Sequence, residues 1–332
     1  MNSYSTIRVG IAGATGYSGV ELLRRLAGHP GADVRLAMGS SSSEAKRVPA
    51  LKRIWDEPVE KLDVDRLATE TDAVFLAVPD TISAEIGPAL AKRGRRVFDI
   101  SGAFRLRDAG ERQRWYPHSP DPGVAVTYGL TERYRDALPT TPLVACAGCY
   151  PTAAILPLHP LVSCGLIEPG AVIDAKSGVS GAGKTPTERT HFSEIHGSMA
   201  AYGVFSHRHG AEIQQELGME VTFVPHLVPL DRGILETIYV QLKPGVDAEA
   251  IGRALTSAYE NAPFVRLTGS DLPEIKHVAH TNFCDIGWRV DRPGGRAVLV
   301  SVIDNLVKGA AGQAIQNFNV AYGFDETLGL QG

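Results

Sequence analysis

The feature that most restricts this chain is a glycine-spaced turn, Gly13-Ala14-Thr15-Gly16-Tyr17-Ser18-Gly19, between an apolar run at 7–12 and a helix-like segment at about 18–28. A strand, a glycine turn and a helix in that order bring backbone N–H groups and a helix N-terminus to one point, a seat for a pyrophosphate. The alternative is a tight structural turn, but the strand and helix context is the condition under which the motif carries weight. Gly13, Thr15, Gly16, Tyr17, Ser18 and Gly19 are therefore the expected cofactor contacts. An NAD site usually places a carboxylate near the end of the second strand, for the ribose 2′-hydroxyl. Here the strand at 34–38 runs into Gly39-Ser40-Ser41-Ser42-Ser43, with no carboxylate before Glu44. Ser40 and Ser41 suit a 2′-phosphate, which Lys46 or Arg47 can neutralise, so the expected cofactor is NADP.

Further apolar runs at 73–78, 97–100 and 143–146 alternate with helix-like segments, which predicts βαβ units and a parallel sheet. After residue 149 the pattern changes. Runs at 221–228 and 234–242 flank Pro229-Leu230-Asp231-Arg232-Gly233, and the second alternates as in a sheet with one partly wet face. The expected fold class is α/β: a Rossmann-type parallel-sheet domain over 1–148, then an α+β substrate and oligomerisation domain over 149–308 with a mixed or antiparallel sheet. The last helical segment, about 309–332, is expected to pack back on the first domain.

The 332 residues carry 33 Lys and Arg against 37 Asp and Glu, a formal charge of -4, which gives no general attraction to nucleic acid or an anionic membrane. The N-terminus lacks the pattern of a secretory signal, and no apolar run of about 18 residues occurs. Four cysteines are too few for a disulfide scaffold at this length. A soluble protein in a reducing compartment is expected.

Cys149 follows the 143–146 run in Ala145-Cys146-Ala147-Gly148-Cys149-Tyr150-Pro151-Thr152. Pro151 suits the first turn of a helix, and Pro157 predicts a kink or an early stop. A cysteine at a helix N-terminus has its thiolate favoured, and the same N–H groups can hold an oxyanion. A lone cysteine is more often a small buried apolar residue, which is the reading for Cys164 and Cys284. The strand-to-helix junction sets Cys149 apart. Cys146 and Cys149 also form a C-x-x-C pair, open to a redox dithiol or, with His207 and His209, to zinc; a reversible bond between them rests on spacing alone.

Ser206-His207-Arg208-His209-Gly210-Ala211-Glu212 holds an acid–base candidate. Glu212, one helical turn from His209, is expected to orient it; the residues alone leave His207 and His209 both open. Ser177-Gly178-Val179-Ser180-Gly181-Ala182-Gly183-Lys184 matches a P-loop by letter, but the place of the first βα turn is already taken. Ser177 and Gly178 are read as lining the nicotinamide, and Ser180, His207 and Arg105 as facing the substrate, with Arg105 just past a strand end where a phosphate or carboxylate could be clamped.

These segments, with Asp304-Asn305-Leu306-Val307-Lys308-Gly309-Ala310-Ala311-Gly312-Gln313-Ala314, resemble nearly end to end the N-acetyl-γ-glutamyl-phosphate reductases of arginine biosynthesis, relatives of aspartate-semialdehyde dehydrogenase. The resemblance implies Cys149 as nucleophile, His209 as acid–base group, Asn305 in the cofactor site, NADP as cofactor, a cytoplasmic location and a homodimer or homotetramer. The implied reaction reduces an acyl phosphate to an aldehyde through a Cys149 thioester. Val78-Pro79-Asp80-Thr81, Cys146-Ala147 and Gly210-Ala211 depart from the usual pattern. The same chemistry on a carrier-linked aminoadipyl phosphate or on aspartyl phosphate is the nearest alternative. A non-catalytic NADP-sensing regulator and a thiol-dependent acyl hydrolase are more distant ones.

Overall fold

A computed structural model describes residues 5–39 and 47–331. Ser40, Ser41 and Lys46, expected at a 2′-phosphate, lie outside the described residues. The chain divides into two compact units, Met1–Ala147 with Ala310–Gly332, and Gly148–Gly309.

The first unit is built on six parallel strands: β1 (Ile7–Ala12), β2 (Ala32–Met38), β3 (Ala73–Leu76), β4 (Arg96–Asp99), β5 (Val126–Gly129) and β6 (Leu143–Cys146), in the order β2-β1-β3-β4-β6-β5. Every residue of β3 and β6 is buried, with no alternation, because both faces of the sheet are covered. The chain leaves β1 toward β2 on one side and later fills β3 on the other. That reversal is the switch point at which open α/β sheets bind ligands, outside the strand C-termini. The helix Gly312–Ala321 returns to this unit and packs on β4, β5 and β6. Its Phe318 lies 5.7 Å from Phe75 and 5.8 Å from Phe98, centroid to centroid. Its amides are buried and their N–H groups find acceptors: Asn317 Nδ2 donates to Gly129 O at 2.9 Å, and Gln313 Nε2 to Thr131 Oγ1 at 2.7 Å.

The second unit holds a seven-stranded sheet of β7 (Ala171–Gly178), β8 (Ala200–Ala201), β9 (Val221–Val228), β10 (Ile234–Gln241), β11 (Val265–Gly269), β12 (Cys284–Val290) and β13 (Arg296–Ile303). The order is β11-β12-β13-β10-β7-β9-β8, and the sheet is mixed, with β11–β12 and β7–β9 parallel and the other pairs antiparallel. Along β10, Ile234, Glu236, Ile238 and Val240 are buried and the intervening residues are not. The helix Cys149–Ser163 covers β10 and β13. It does not take the early stop that Pro157 allowed as the alternative to a kink, and runs through Pro160 as well. A proline at 160 leaves the carbonyl of Leu156 without its helical donor. Tyr259 supplies one, its hydroxyl donating to Leu156 O at 2.6 Å.

Glu236 is fully buried between Ala175 and Ser301 on the neighbouring strands, and neither carboxylate oxygen has a partner. Burial raises its pKa well above the ordinary value, against a smaller opposing pull from Lys176. The folded chain thus keeps a proton that the unfolded chain has already lost above about pH 4.3. Stability is expected to fall as pH rises from there toward the folded pKa. Glu236→Met, similar in length and apolar, should gain about 1–3 kcal/mol at alkaline pH and flatten the slope. Denaturant unfolding at mildly acidic and alkaline pH checks this, and an unchanged slope in the variant would contradict it.

Candidate active site

In the first unit, the three glycines of the 13–19 turn do different things. Gly13 has φ +87°, and a Cβ there would lie 2.2 Å from Ala77 O. A Cβ on Gly19 would lie 2.1 Å from Gly13 O. Both are held small by protein packing. At Gly16 a Cβ would come no closer than 3.5 Å to protein, so that position is not closed by the protein itself. The helix Tyr17–Leu26 starts with Gly16 as its cap, has no side-chain capping bond and has no acidic residue in its first turn. An uncapped, positively polarised helix end beside an open glycine at a sheet switch point fits the pyrophosphate of a dinucleotide. Thr15 and Tyr17 are exposed, and Gly16 and Ser18 are half-buried.

Arg105 is buried, not open to solvent as a surface clamp would be. Its Nε donates to Cys146 O at 2.8 Å and its Nη2 to Ile100 O at 2.6 Å, so it ties the ends of β4 and β6. Asp99 beside it is fully buried, its pKa raised by desolvation, and it accepts from Ser101 N and Ser101 Oγ. Cys146 is buried, and desolvation pushes its thiol up to about 12. It is a free thiol, and a protonated buried thiol is a poor partner for disulfide exchange.

In the second unit, Cys149 is the first residue of its helix and is half-buried. Gly148 N–H, at the cap, donates to Glu212 Oε1 at 2.8 Å. Glu212 is itself buried, so the expected orienting carboxylate is found anchoring the start of the cysteine helix. Gly309 presses on Cys149 from the short π-turn Val307–Ala311; a Cβ on Gly309 would lie 2.7 Å from Cys149 Cβ. π-turns of this kind are frequent at functional sites.

The helix Arg208–Leu217 starts earlier than Gly210, and His207 is its cap, with Nδ1 accepting from His209 N–H at 3.1 Å. Burial, and then the charge of Arg208, lower the His207 pKa to about 4. His207 is therefore neutral at physiological pH, with only Nε2 left for a substrate. His209 lies 4.8 Å from His207 and 5.9 Å from Tyr150, ring to ring. The structure thus brings His209 to the residue that follows Cys149.

The serine loop is a brace. Gly178 N, Val179 N and Ser180 N donate to the carbonyls of Gly233, Leu230 and Asp231, so these groups do not cradle a phosphate. Gly178 is small because a Cβ would lie 2.8 Å from Arg232 N. Ser177 is buried, its Oγ donating to Gly178 O at 3.0 Å. Asn305 closes the brace: Nδ2 donates to Ser180 Oγ at 3.0 Å and Oδ1 accepts from Gly233 N at 2.6 Å. Sequence reading missed Tyr150, Tyr202 and Phe223, which form an aromatic wall around the histidines, with Tyr150 5.3 Å from Phe223 and Tyr202 5.5 Å from His207. No cluster of three or more His, Cys, Asp or Glu among the described residues could hold a metal.

Two family models match the chain: the NAD binding domain of semialdehyde dehydrogenase over residues 8–141, and its dimerisation domain over residues 149–305. Curated relatives include the N-acetyl-gamma-glutamyl-phosphate reductases of Shouchella clausii and Syntrophobacter fumaroxidans, each 45% identical over 338 residues, spanning 98% of this chain and 98% of theirs. Among solved structures, aspartate semialdehyde dehydrogenase II of Vibrio cholerae, complexed with ASA, is 19% identical with a TM-score of 0.71 over 95% of this chain and 98% of that one. Aspartate semialdehyde dehydrogenase of Candida albicans, with NADP, is 17% identical with a TM-score of 0.72 over 96% and 99%. At those identities the structural likeness shows the fold alone.

Proposed function

The chain belongs to the N-acetyl-γ-glutamyl-phosphate reductases of the semialdehyde dehydrogenase family, and on that premise we propose that Cys149 takes the acyl group from N-acetyl-L-glutamyl 5-phosphate, with NADPH as reductant. The products are N-acetyl-L-glutamate 5-semialdehyde and phosphate, a step of arginine biosynthesis. The observation that carries the assignment of Cys149 is its place: a half-buried thiol on the first residue of a helix, with His209 against its neighbour Tyr150.

The Cys149 thiolate attacks the acyl carbonyl, the C–O bond to the phosphoryl group breaks, and phosphate leaves with the bonding pair. The free N–H groups of a helix's first turn suit the oxyanion that forms. A nicotinamide, when bound, would supply the hydride that takes the thioester to the thiohemiacetal level. His209 holds the proton that the thiohemiacetal oxygen shares as the C–S bond breaks and the thiolate is restored. Gly13, Thr15, Gly16, Tyr17, Ser18 and Gly19 would hold the pyrophosphate, Ser40, Ser41 and Lys46 the 2′-phosphate, and Ser177, Gly178 and Asn305 the nicotinamide side. Ser180 and His207 would face the substrate, and Arg105, expected there too, would serve it by holding the ends of β4 and β6 through Ile100 O and Cys146 O.

Phosphate-dependent NADP reduction tests the substrate. The aldehyde N-acetylglutamate 5-semialdehyde is expected to exceed aspartate semialdehyde in kcat/KM by at least about 10³-fold, because an unmet buried polar contact discriminates that strongly. Parity between the two, or preference for aspartate semialdehyde, would move the assignment to aspartyl phosphate.

A homodimer or homotetramer in the cytoplasm completes this reading. No helix among the described residues is long and apolar enough to cross a membrane. The match to a dimerisation domain and the exposed cross-strand neighbours Val172 and Tyr239 support self-association through that part of the sheet. Tyr239→Glu is expected to shift the chain to monomer at micromolar concentration in sedimentation, since a charge in an apolar interface core is unpaired; unchanged assembly would remove this face from the interface.

A further inference from the structure

Arg189 sits on the short turn Glu188–Thr190, which a reciprocal Thr187–Thr190 capping arrangement fixes. Its guanidinium lies over the Tyr202 ring, Cζ 5.6 Å from the centroid. Glu188 and Glu194 line a cavity with Arg189, yet among the described residues no carboxylate pairs with it. Tyr202 is itself pinned. Its N–H donates to Pro225 O at 3.0 Å, and its hydroxyl meets the Tyr150 hydroxyl at 3.2 Å. Tyr150 hydroxyl also donates to His226 O at 3.2 Å, and Tyr150 follows Cys149 directly in the helix. A cation is therefore held one tyrosine pair away from the nucleophile.

We propose that Arg189, set over Tyr202, receives the free carboxylate of the acyl-phosphate substrate and so selects for it. This rests on Cys149 as acyl acceptor. The substrate carries a second anion besides its phosphoryl group: a carboxylate whose carbon is four C–C bonds, about 5 Å in extended form, from the reacting carbonyl. A guanidinium offers a planar fork that matches a carboxylate, and an aromatic face beneath it orders the fork before the ligand arrives. The electrostatics agree. Burial raises the pKa of the Tyr202 hydroxyl and a charge at Cys149 raises it further, while Arg189 and Arg208 lower it, so thiol, tyrosine and both arginines share one field.

The test compares N-acetylglutamate 5-semialdehyde with 4-acetamidobutanal, the same aldehyde without the carboxylate, in phosphate-dependent NADP reduction. Arg189→Ala is expected to lower the ratio of the two kcat/KM values by about 10- to 100-fold, chiefly through KM of the carboxylated aldehyde. Arg189→Lys should recover part of the ratio, because the charge stays and the fork is lost. A ratio in Arg189→Ala within about twofold of wild type, including an equal loss on both aldehydes, overturns the proposal. Wild-type enzyme that oxidises neither aldehyde would instead overturn the reading of the reaction itself, a result seen before any variant is made.

Discussion

Cys149→Ser is expected to lose phosphate-dependent NADP reduction by at least about 10³-fold, with the fold intact. The thiolate is the attacking group, and a serine hydroxyl at the same place stays protonated at neutral pH, so it cannot form the acyl intermediate at a useful rate. The change is small in every other respect. Gly309 packs against Cys149 Cβ, which serine keeps. Gly148 N–H still donates to Glu212, and Thr152 N–H still donates to Gly148 O at 2.9 Å. NADPH affinity and thermal stability should therefore stay close to wild type while turnover disappears. Near-normal turnover in the serine variant would refute covalent catalysis at this residue.

The second large effect separates two glycines three positions apart. Gly13→Ala places a methyl group 2.2 Å from Ala77 O at a residue with φ +87°. Ala77 cannot yield, because its own N–H is bonded to Ala12 O at 2.8 Å. Backbone strain and collision together should cost about 3–5 kcal/mol, enough to unfold the dinucleotide unit in part or whole. Gly16→Ala meets no protein atom closer than 3.5 Å, at an ordinary φ of -73°. It should fold normally and lose NADPH affinity by at least about tenfold, since its methyl group occupies the approach of the pyrophosphate. Thermal unfolding and fluorescence titration with NADPH distinguish the two. Wild-type affinity in Gly16→Ala would remove the pyrophosphate from this turn.

The elements that local sequence announces are those whose causes are local. The glycine turn, β6 ending at Cys146 and the helix opening at Cys149 depend on neighbours a few residues away, and each is readable as spacing. The strands β5, β11 and β12 are not. β5 is four residues long and ends at Gly129, which must be small because Asn317 occupies the space 188 residues later in the chain. β12 carries Asp285, which reads against a buried strand until Arg266 on β11 is seen to bond it through Nε and Nη2 at 2.6 and 2.8 Å. The helix past Pro157 was illegible for the same reason: Tyr259, which repairs Leu156 O, is 103 residues distant.

At the site, residue types were legible and their partners were not. The His207-Arg208-His209 cluster stands out by composition, but only the fold makes His207 a cap and leaves His209 beside Tyr150. The spacing places Glu212 one turn from His209, but carries no sign that its Oε1 also reaches 64 residues back to Gly148. Tyr150, Tyr202 and Arg189 carry no local signal, because their meeting is tertiary.

The central claim is a covalent acyl group on Cys149, and intact-protein mass spectrometry tests it most directly. Enzyme mixed with N-acetyl-L-glutamyl 5-phosphate in the absence of NADPH, then quenched in acid, should carry one N-acetylglutamyl group per chain. Peptide mapping should locate it at Cys149, and added NADPH should discharge it. Protein of unmodified mass under these conditions, together with full turnover once NADPH is present, would contradict the account.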